Sequence, residues 1–314
     1  MSNQTKTLQI ISSEERSTKK RGIKGCIFGK SGIGKTSLLW TLDPRKTLFI
    51  DLEAGDLAIE GWEGDTIRPK TWTECRDLAV FIGRANPALS QNQAYSQAHY
   101  DAVCKQFGEP WIMDKYDTIF IDSLTVAGRL CLQWCKTQPQ AFSEKTGKAD
   151  IRGAYGLQGQ EMIAWLTHLQ HAREKNIWYL GILDEKTDDF GRRFYTPQIE
   201  GSKTGLELPG IVDQVITMAE VNDENNGSNS PYRAFINHTI NPYGYPAKDR
   251  SGRLAMIEKA DLGALMEKIK SLLTPKVRSV MNKNEKNIII HEADYSNTTN
   301  GSNNNFNNNE TIGE

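Results

Sequence analysis

The chain has 314 residues, and its 38 lysines and arginines against 39 aspartates and glutamates leave a formal net charge of −1. That length accommodates one large core with tails, and the charge balance excludes a global field drawing the protein to nucleic acid or membrane, so any such contact falls to local patches. There is no apolar run of roughly 18 residues, the first residues lack a secretory-type apolar stretch, and five cysteines make no paired framework, so a cytoplasmic protein with reduced thiols and no membrane partner is expected, Cys131 and Cys135 being packed rather than bridged.

Residues 1–20 are polar and run into Lys19-Lys20-Arg21, so they read as a flexible N-terminal arm, its basic triplet either solvated or available to phosphate. The apolar run from Ile23 to Phe28 predicts a strand, Gly29–Thr36 a loop, and Thr36-Ser37-Leu38-Leu39-Trp40 the opening of a helix. Thr47–Leu52 reads as a second buried strand, and Thr71 and Glu74 have capping-box spacing ahead of a helix. Residues 85–110, rich in Asn, Gln, Ala and Ser, form a helical or irregular insertion. Tyr116–Ser123 is a third strand ending in an acid, followed by a helix to about residue 135.

Gly147, Gly153 and Gly156 among polar residues predict a long mobile loop over 141–156, before a helix carrying Met162, Trp165, Leu166 and Leu169. Ile177–Leu183 is a fourth strand, 184–205 a polar loop or hairpin, and Ile211–Met218 a fifth strand. A turn over 222–230, a strand over 233–240 and an amphipathic helix over 260–273 close the fold. Beyond Pro275 the chain is polar, with eleven asparagines from Asn282 onward, a composition that buries too little apolar surface to offset ordering entropy. The expected organisation is an arm at 1–20, an α/β domain at 21–274 with a mostly parallel sheet flanked by helices, and a disordered tail at 275–314.

Gly29-Lys30-Ser31-Gly32-Ile33-Gly34-Lys35-Thr36 fits the spacing G-x-x-x-x-G-K-[ST]. Glycines at both ends let the backbone wrap closely, so that successive N–H groups and the following helix N-terminus face phosphate oxygens. Lys35 is placed to reach the β- and γ-phosphates of ATP and the Thr36 hydroxyl to ligate Mg²⁺, with Ser37 completing the nucleotide-binding set. Two later strands end in acids, Asp51 and Asp122; Asp122 is the preferred partner of Mg²⁺, because an apolar or β-branched run leads directly into it. Glu53, just past the second strand, is the candidate general base for the attacking water. His168 and His171 share a helix face, but without a third ligand nearby they read as solvated rather than as a metal pair.

Taken in order, these pieces resemble the RecA-like P-loop ATPase core. The segments FIDLEAGDL, GWEGDTIRP, ILDEKTDD, GSKTGLELPGIVDQV and NPYGYPAKDRSGRL are similar to phage nucleotide-binding proteins, some of which resemble Sak-type recombinases assisting annealing or pairing of single-stranded DNA. The resemblance covers about residues 22–272. It implies the catalytic roles for Glu53 and Lys35 and the Mg²⁺ role for Asp122, in a homo-oligomeric, phage- or prophage-encoded ATPase of the bacterial host cell. It also implies two DNA-facing loops, with Lys145, Lys148, Arg152 and Tyr155 in the first and Lys186, Arg192, Arg193, Phe194, Tyr195 and Lys203 in the second, cations mixed with rings suited to stacking on bases. Lys248 and Arg250 are candidate cations completing a neighbouring subunit's site. The tail is a candidate tether for a single-strand-binding or other recombination partner.

Two other readings stay open. Lys30 stands where partitioning ATPases similar to ParA carry a second lysine, although Ser31 replaces one of their glycines. The other is a nucleotide-gated scaffold without DNA activity.

Overall fold

Apolar runs bounded by polar turns become the strands of one sheet, in a computed structural model that describes residues 10–223 and 228–271. In chain order the elements are α1 (Ser13–Thr18), β1 (Lys24–Gly29), β2 (Thr47–Asp51), β3 (Asp65–Ile67), α2 (Trp72–Gly83), α3 (Gln97–Phe107), β4 (Thr118–Asp122), α4 (Leu124–Cys135) and α5 (Ile151–Gln170). They continue with β5 (Asn176–Thr187), β6 (Arg193–Pro197), α6 (Ser202–Ile211), β7 (Gln214–Asp223), β8 (Ser228–Ile236), β9 (Lys248–Asp249), β10 (Ile257–Lys259) and α7 (Leu262–Lys270). The chain divides into two compact units, Met1–Ile269 and Lys270–Glu314, and the sheet lies in the first. The expected Asn-rich tail at 275–314 lies outside the described residues.

The sheet order is β10-β8-β7-β1-β5-β4-β2-β3, with β6 paired to β5 and β9 to β7. From β7 through β3 every neighbouring pair is parallel, while β8, β6 and β9 add antiparallel pairings. The expected mostly parallel α/β sheet, flanked by helices, is therefore what the chain forms. Strand β5 lies between β1, which leads into the phosphate loop, and β4, which ends in Asp122.

Because side chains alternate across a strand, each central strand feeds two cores. Cys26 and Phe28 pack with Ile119, Ile121 and Tyr179 under α2, α4 and α5. Ile27, Phe120, Trp178 and Leu180 pack on the other face with Leu38, Leu39, Leu265 and Met266. Burial on both faces is why these strands read as continuous apolar runs. Gly25 is required by close packing: a Cβ there would lie 2.2 Å from the Trp178 ring.

Several local expectations change. The helix after the phosphate loop is a 3₁₀ segment, Thr36–Thr41, whose end is marked by the Leu42 N–H bonding Leu39 O. At α2 the Thr71 side chain caps the Glu74 N–H, but the Glu74 carboxylate reaches the Lys70 N–H, one residue outside the reciprocal capping box. The predicted loop at 141–156 gives way to α5 from Ile151 onward. Asp150 caps α5 by accepting from the Arg152 N–H, and Gly153 is there for close approach, since a Cβ would lie 2.1 Å from Gln140 O. Residues 184–205 form the β5–β6 hairpin and the start of α6, whose Gly205, Pro209 and Gly210 hid it from helix propensity. The fifth strand accordingly begins at Gln214 rather than Ile211. Within the arm, Ser13–Thr18 is a short helix capped by Ser12.

Candidate functional site

The site forms where the C-terminal ends of the parallel strands meet the loop after β1. Gly32 and Gly34 take φ values of +79° and +91°, a region that favours glycine and lets the loop turn back over the strand ends. Lys35 Nζ donates to Gly29 O at 3.1 Å and Lys30 O at 3.0 Å, so the ammonium is held inside the loop's own curve. Burial pushes the Lys35 pKa down, and the carboxylates of Asp122 and Glu53 oppose that shift. Ser31 is exposed on the loop, and the Ser37 hydroxyl lies 3.8 Å from where a Gly34 Cβ would be.

From Lys35 the chain places Thr36 against the end of β4. Thr36 Oγ1 donates to Asp122 Oδ2 at 2.5 Å. Asp122 is only 3% exposed, and its pKa is pushed up to about 6, mainly by burial, with the Thr36 hydrogen bond opposing and Glu53 reinforcing. The next residue turns to the other acid: Ser123 Oγ donates to Glu53 Oε1 while accepting the Val126 N–H as N-cap of α4. Two consecutive residues at one strand end thus connect the phosphate loop to Glu53. The peptide bond between them is cis.

Asp51, paired in register with Asp122, is occupied differently. Its Oδ1 accepts the Glu53 and Gly55 N–H groups, and its Oδ2 takes Arg68 Nε at 3.0 Å. Arg68 also holds Asp56 at 2.6 Å. Asp51 therefore shapes the turn that presents Glu53, and Asp122 is the acid left facing Thr36. A part-buried, oxygen-only pair of hydroxyl and carboxylate beside a phosphate loop fits the hard-oxygen preference of Mg²⁺, which uses one or two protein groups with phosphate and water supplying the rest. Among the described residues no cluster of three His, Cys, Asp or Glu forms a separate metal site.

Beside the loop, towards β7, lies a cavity of about 370 Å³ bounded by Lys30–Ile33, Leu183, Met218–Glu220 and Tyr245. Lys30 Nζ stands 3.8 Å from Glu185 Oε2 in the β5–β6 hairpin, and the same carboxylate holds Arg193 Nη1 at 3.1 Å.

Lys248 and Arg250 do not approach this site within their own chain. Lys248 pairs with Val215, which is level with Cys26, three residues short of Gly29. Its ammonium donates to Pro209 O and, at 2.9 Å, to Val212 O, while Arg250 bonds Asp213 at 3.0 Å and Gly210 O at 3.4 Å. Both cations tie down the carbonyl end of α6. The cation the sequence reading missed is Arg233. It lies on β8 opposite Glu220, its Nη1 is 3.4 Å from Ile33 O, and a Cβ on Gly34 would lie 2.1 Å from that nitrogen. Only the pairing of β8 with β7 brings it there, and nothing local in the sequence signals that.

The DNA-contact candidates divide. Tyr155, Lys186, Tyr195 and Lys203 line one cavity of about 970 Å³, where Tyr195 packs on Tyr245 with ring centroids 4.6 Å apart. Lys145, Lys148 and Arg152 are exposed around the start of α5, and Phe194 is exposed on β6. Arg192 is paired with Asp188 at 3.0 Å and Arg193 with Glu185. His168 is corrected outright: it is buried, stacks on Tyr95 at 4.4 Å, and burial lowers its pKa to about 4. Cys131 and Cys135 are free thiols 3.9 Å apart, both buried.

A glycine-turned loop with its lysine, a threonine on a buried strand-end aspartate and a mostly parallel helix-flanked sheet define a P-loop nucleotide-binding fold. The family described as an AAA domain matches residues 21–251, and the chain belongs to it. Among solved structures, a KaiC-like protein from the hyperthermophilic archaeon Pyrococcus horikoshii OT3 is similar at 14% identity, over 69% of this chain and 78% of that chain. The TM-score is 0.31, too low for that likeness to bear on function. No curated protein matches the chain. No described helix is long and apolar enough to cross a membrane.

Proposed function

We propose that the chain is a Mg²⁺-dependent ATPase whose turnover is coupled to single-stranded DNA in phage-type recombination or annealing. The observation that carries the ATPase reading is the pair of hydrogen bonds at the end of β4, Thr36 to Asp122 and Ser123 to Glu53, beside Lys35. Thr36 and Asp122 hold Mg²⁺, which when bound neutralises charge on the phosphate oxygens. Lys35 and the loop N–H groups orient the triphosphate, and Glu53, aligned by the Ser123 hydroxyl, takes the proton of the attacking water. The DNA side rests on the motif resemblance, with support from the cavity that gathers Tyr155, Lys186, Tyr195 and Lys203.

The test is phosphate release by the full chain, with and without Mg²⁺ and single-stranded oligonucleotide. Glu53→Gln is expected to keep ATP affinity within a few-fold and to lower turnover about 10²-fold or more. Unchanged turnover removes Glu53 from the chemistry. Turnover that ignores oligonucleotide at low salt, with no binding of it, favours the nucleotide-gated scaffold.

A further inference from the structure

A concentration of positive charge lies at the end of the sheet opposite the phosphate loop. A cleft of about 450 Å³ opens between α1 and the N-terminal ends of β1 and β7, lined by Arg16, Lys19, Lys20, Arg21, Lys24, Arg173 and Arg250 with Asp213 as the sole carboxylate. Asp213 is shared by Arg21 at 3.1 Å and Arg250 at 3.0 Å. Lys19 is paired with Glu15 and Lys20 with Asp117, each at 2.6 Å. Arg16 and Arg173 make no ion pair among the described residues, and both are exposed. The cleft has a built floor: Lys24 is 4% exposed, its Nζ donating to Lys175 O at 2.7 Å.

We infer that this cleft binds the phosphate backbone of single-stranded nucleic acid. Its cations outnumber its carboxylates in a chain of net charge −1, so the excess is local. Four of them are arginines, whose planar fork matches phosphate oxygens. No Phe, Tyr or Trp lines it and His171 is its one ring, so recognition falls mainly on the backbone and carries little base sequence. In the hairpin at 184–197, by contrast, Arg192 and Arg193 are already neutralised by Asp188 and Glu185. Single-strand binding is part of the function proposed above, and the cleft gives it a location.

The experiment is fluorescence anisotropy of a labelled oligothymidine with the full chain across a salt series. Arg16→Ala combined with Arg173→Ala is expected to lower affinity about tenfold and to flatten the log–log salt slope by roughly 1.4, ~0.7 for each phosphate that the variant no longer neutralises. ATP binding stays unchanged. Unaltered oligonucleotide affinity in this variant, with weaker binding by Lys186→Ala/Lys203→Ala, overturns the cleft and leaves the DNA-coupled ATPase standing. Absence of binding by the unaltered protein at low salt overturns both. Competition by poly-glutamate as effective as unlabelled oligonucleotide, charge for charge, overturns the phosphate assignment.

Discussion

Ser123 does two jobs with one hydroxyl, capping α4 through the Val126 N–H and fixing the Glu53 carboxylate. Removing an N-cap costs about 1 kcal/mol, and releasing Glu53 costs alignment in the reacting state. Ser123→Ala is therefore expected to lower kcat about tenfold with KM little changed, while thermal unfolding shifts down by only a few degrees; steady-state kinetics beside calorimetry separates the two effects. Arg233 makes a contrasting case, because its guanidinium rests on the loop rather than on the acids. Arg233→Ala should weaken ATP binding and turnover together, and Arg233→Lys should restore part of both. Lys248→Ala and Arg250→Ala, which loosen the end of α6, should instead lower the unfolding temperature. Their effect on turnover in mixed oligomers tells whether either also serves a neighbouring site.

At the scale of elements, α5 buries His168 against Tyr95 and Gly83, its Nε2 without a hydrogen-bond partner among the described residues. Between pH 6.5 and about 4 the unfolded chain binds a proton that the folded imidazole refuses, so stability falls as pH is lowered through that window. The loss amounts to at most about 3 kcal/mol. His168→Phe keeps the ring and removes the proton site, and urea denaturation at pH 7 and pH 5 should show a smaller difference for the variant than for the parent chain. The same helix shows where sequence reading stops. The strands were legible because both faces of β1, β4 and β5 are buried and the apolar runs are unbroken, and the phosphate loop because its glycine and lysine spacing is contiguous. Helix α6 was not, since Gly205, Pro209 and Gly210 all count against a helix until Lys248 and Arg250 bind its carbonyl end. Arg233 was equally hidden, and of the basic cleft only Lys19-Lys20-Arg21 stood out, because Arg173 and Arg250 are brought to that triplet by the fold from far along the chain.

Across the whole molecule, the order β7-β1-β5-β4-β2 separates the loop strand from the acid strand by one strand width on each side of β5. Neighbouring strands lie about 4.8 Å apart, so roughly 10 Å stands between the axes of β1 and β4, a gap that Thr36 crosses to reach Asp122. Strand β5 fills that gap and then leaves the sheet as the hairpin with β6, carrying Glu185 with it. Two cations compete for that one carboxylate, Lys30 from the phosphate loop and Arg193 from the hairpin itself. A polyphosphate that recruits Lys30 leaves Glu185 to Arg193 alone. The loop and the hairpin are thus wired through a single shared anion, and occupancy at one end is readable as a change of charge at the other. Amide hydrogen exchange over 185–195 should respond to ATP, and Glu185→Gln should silence the response.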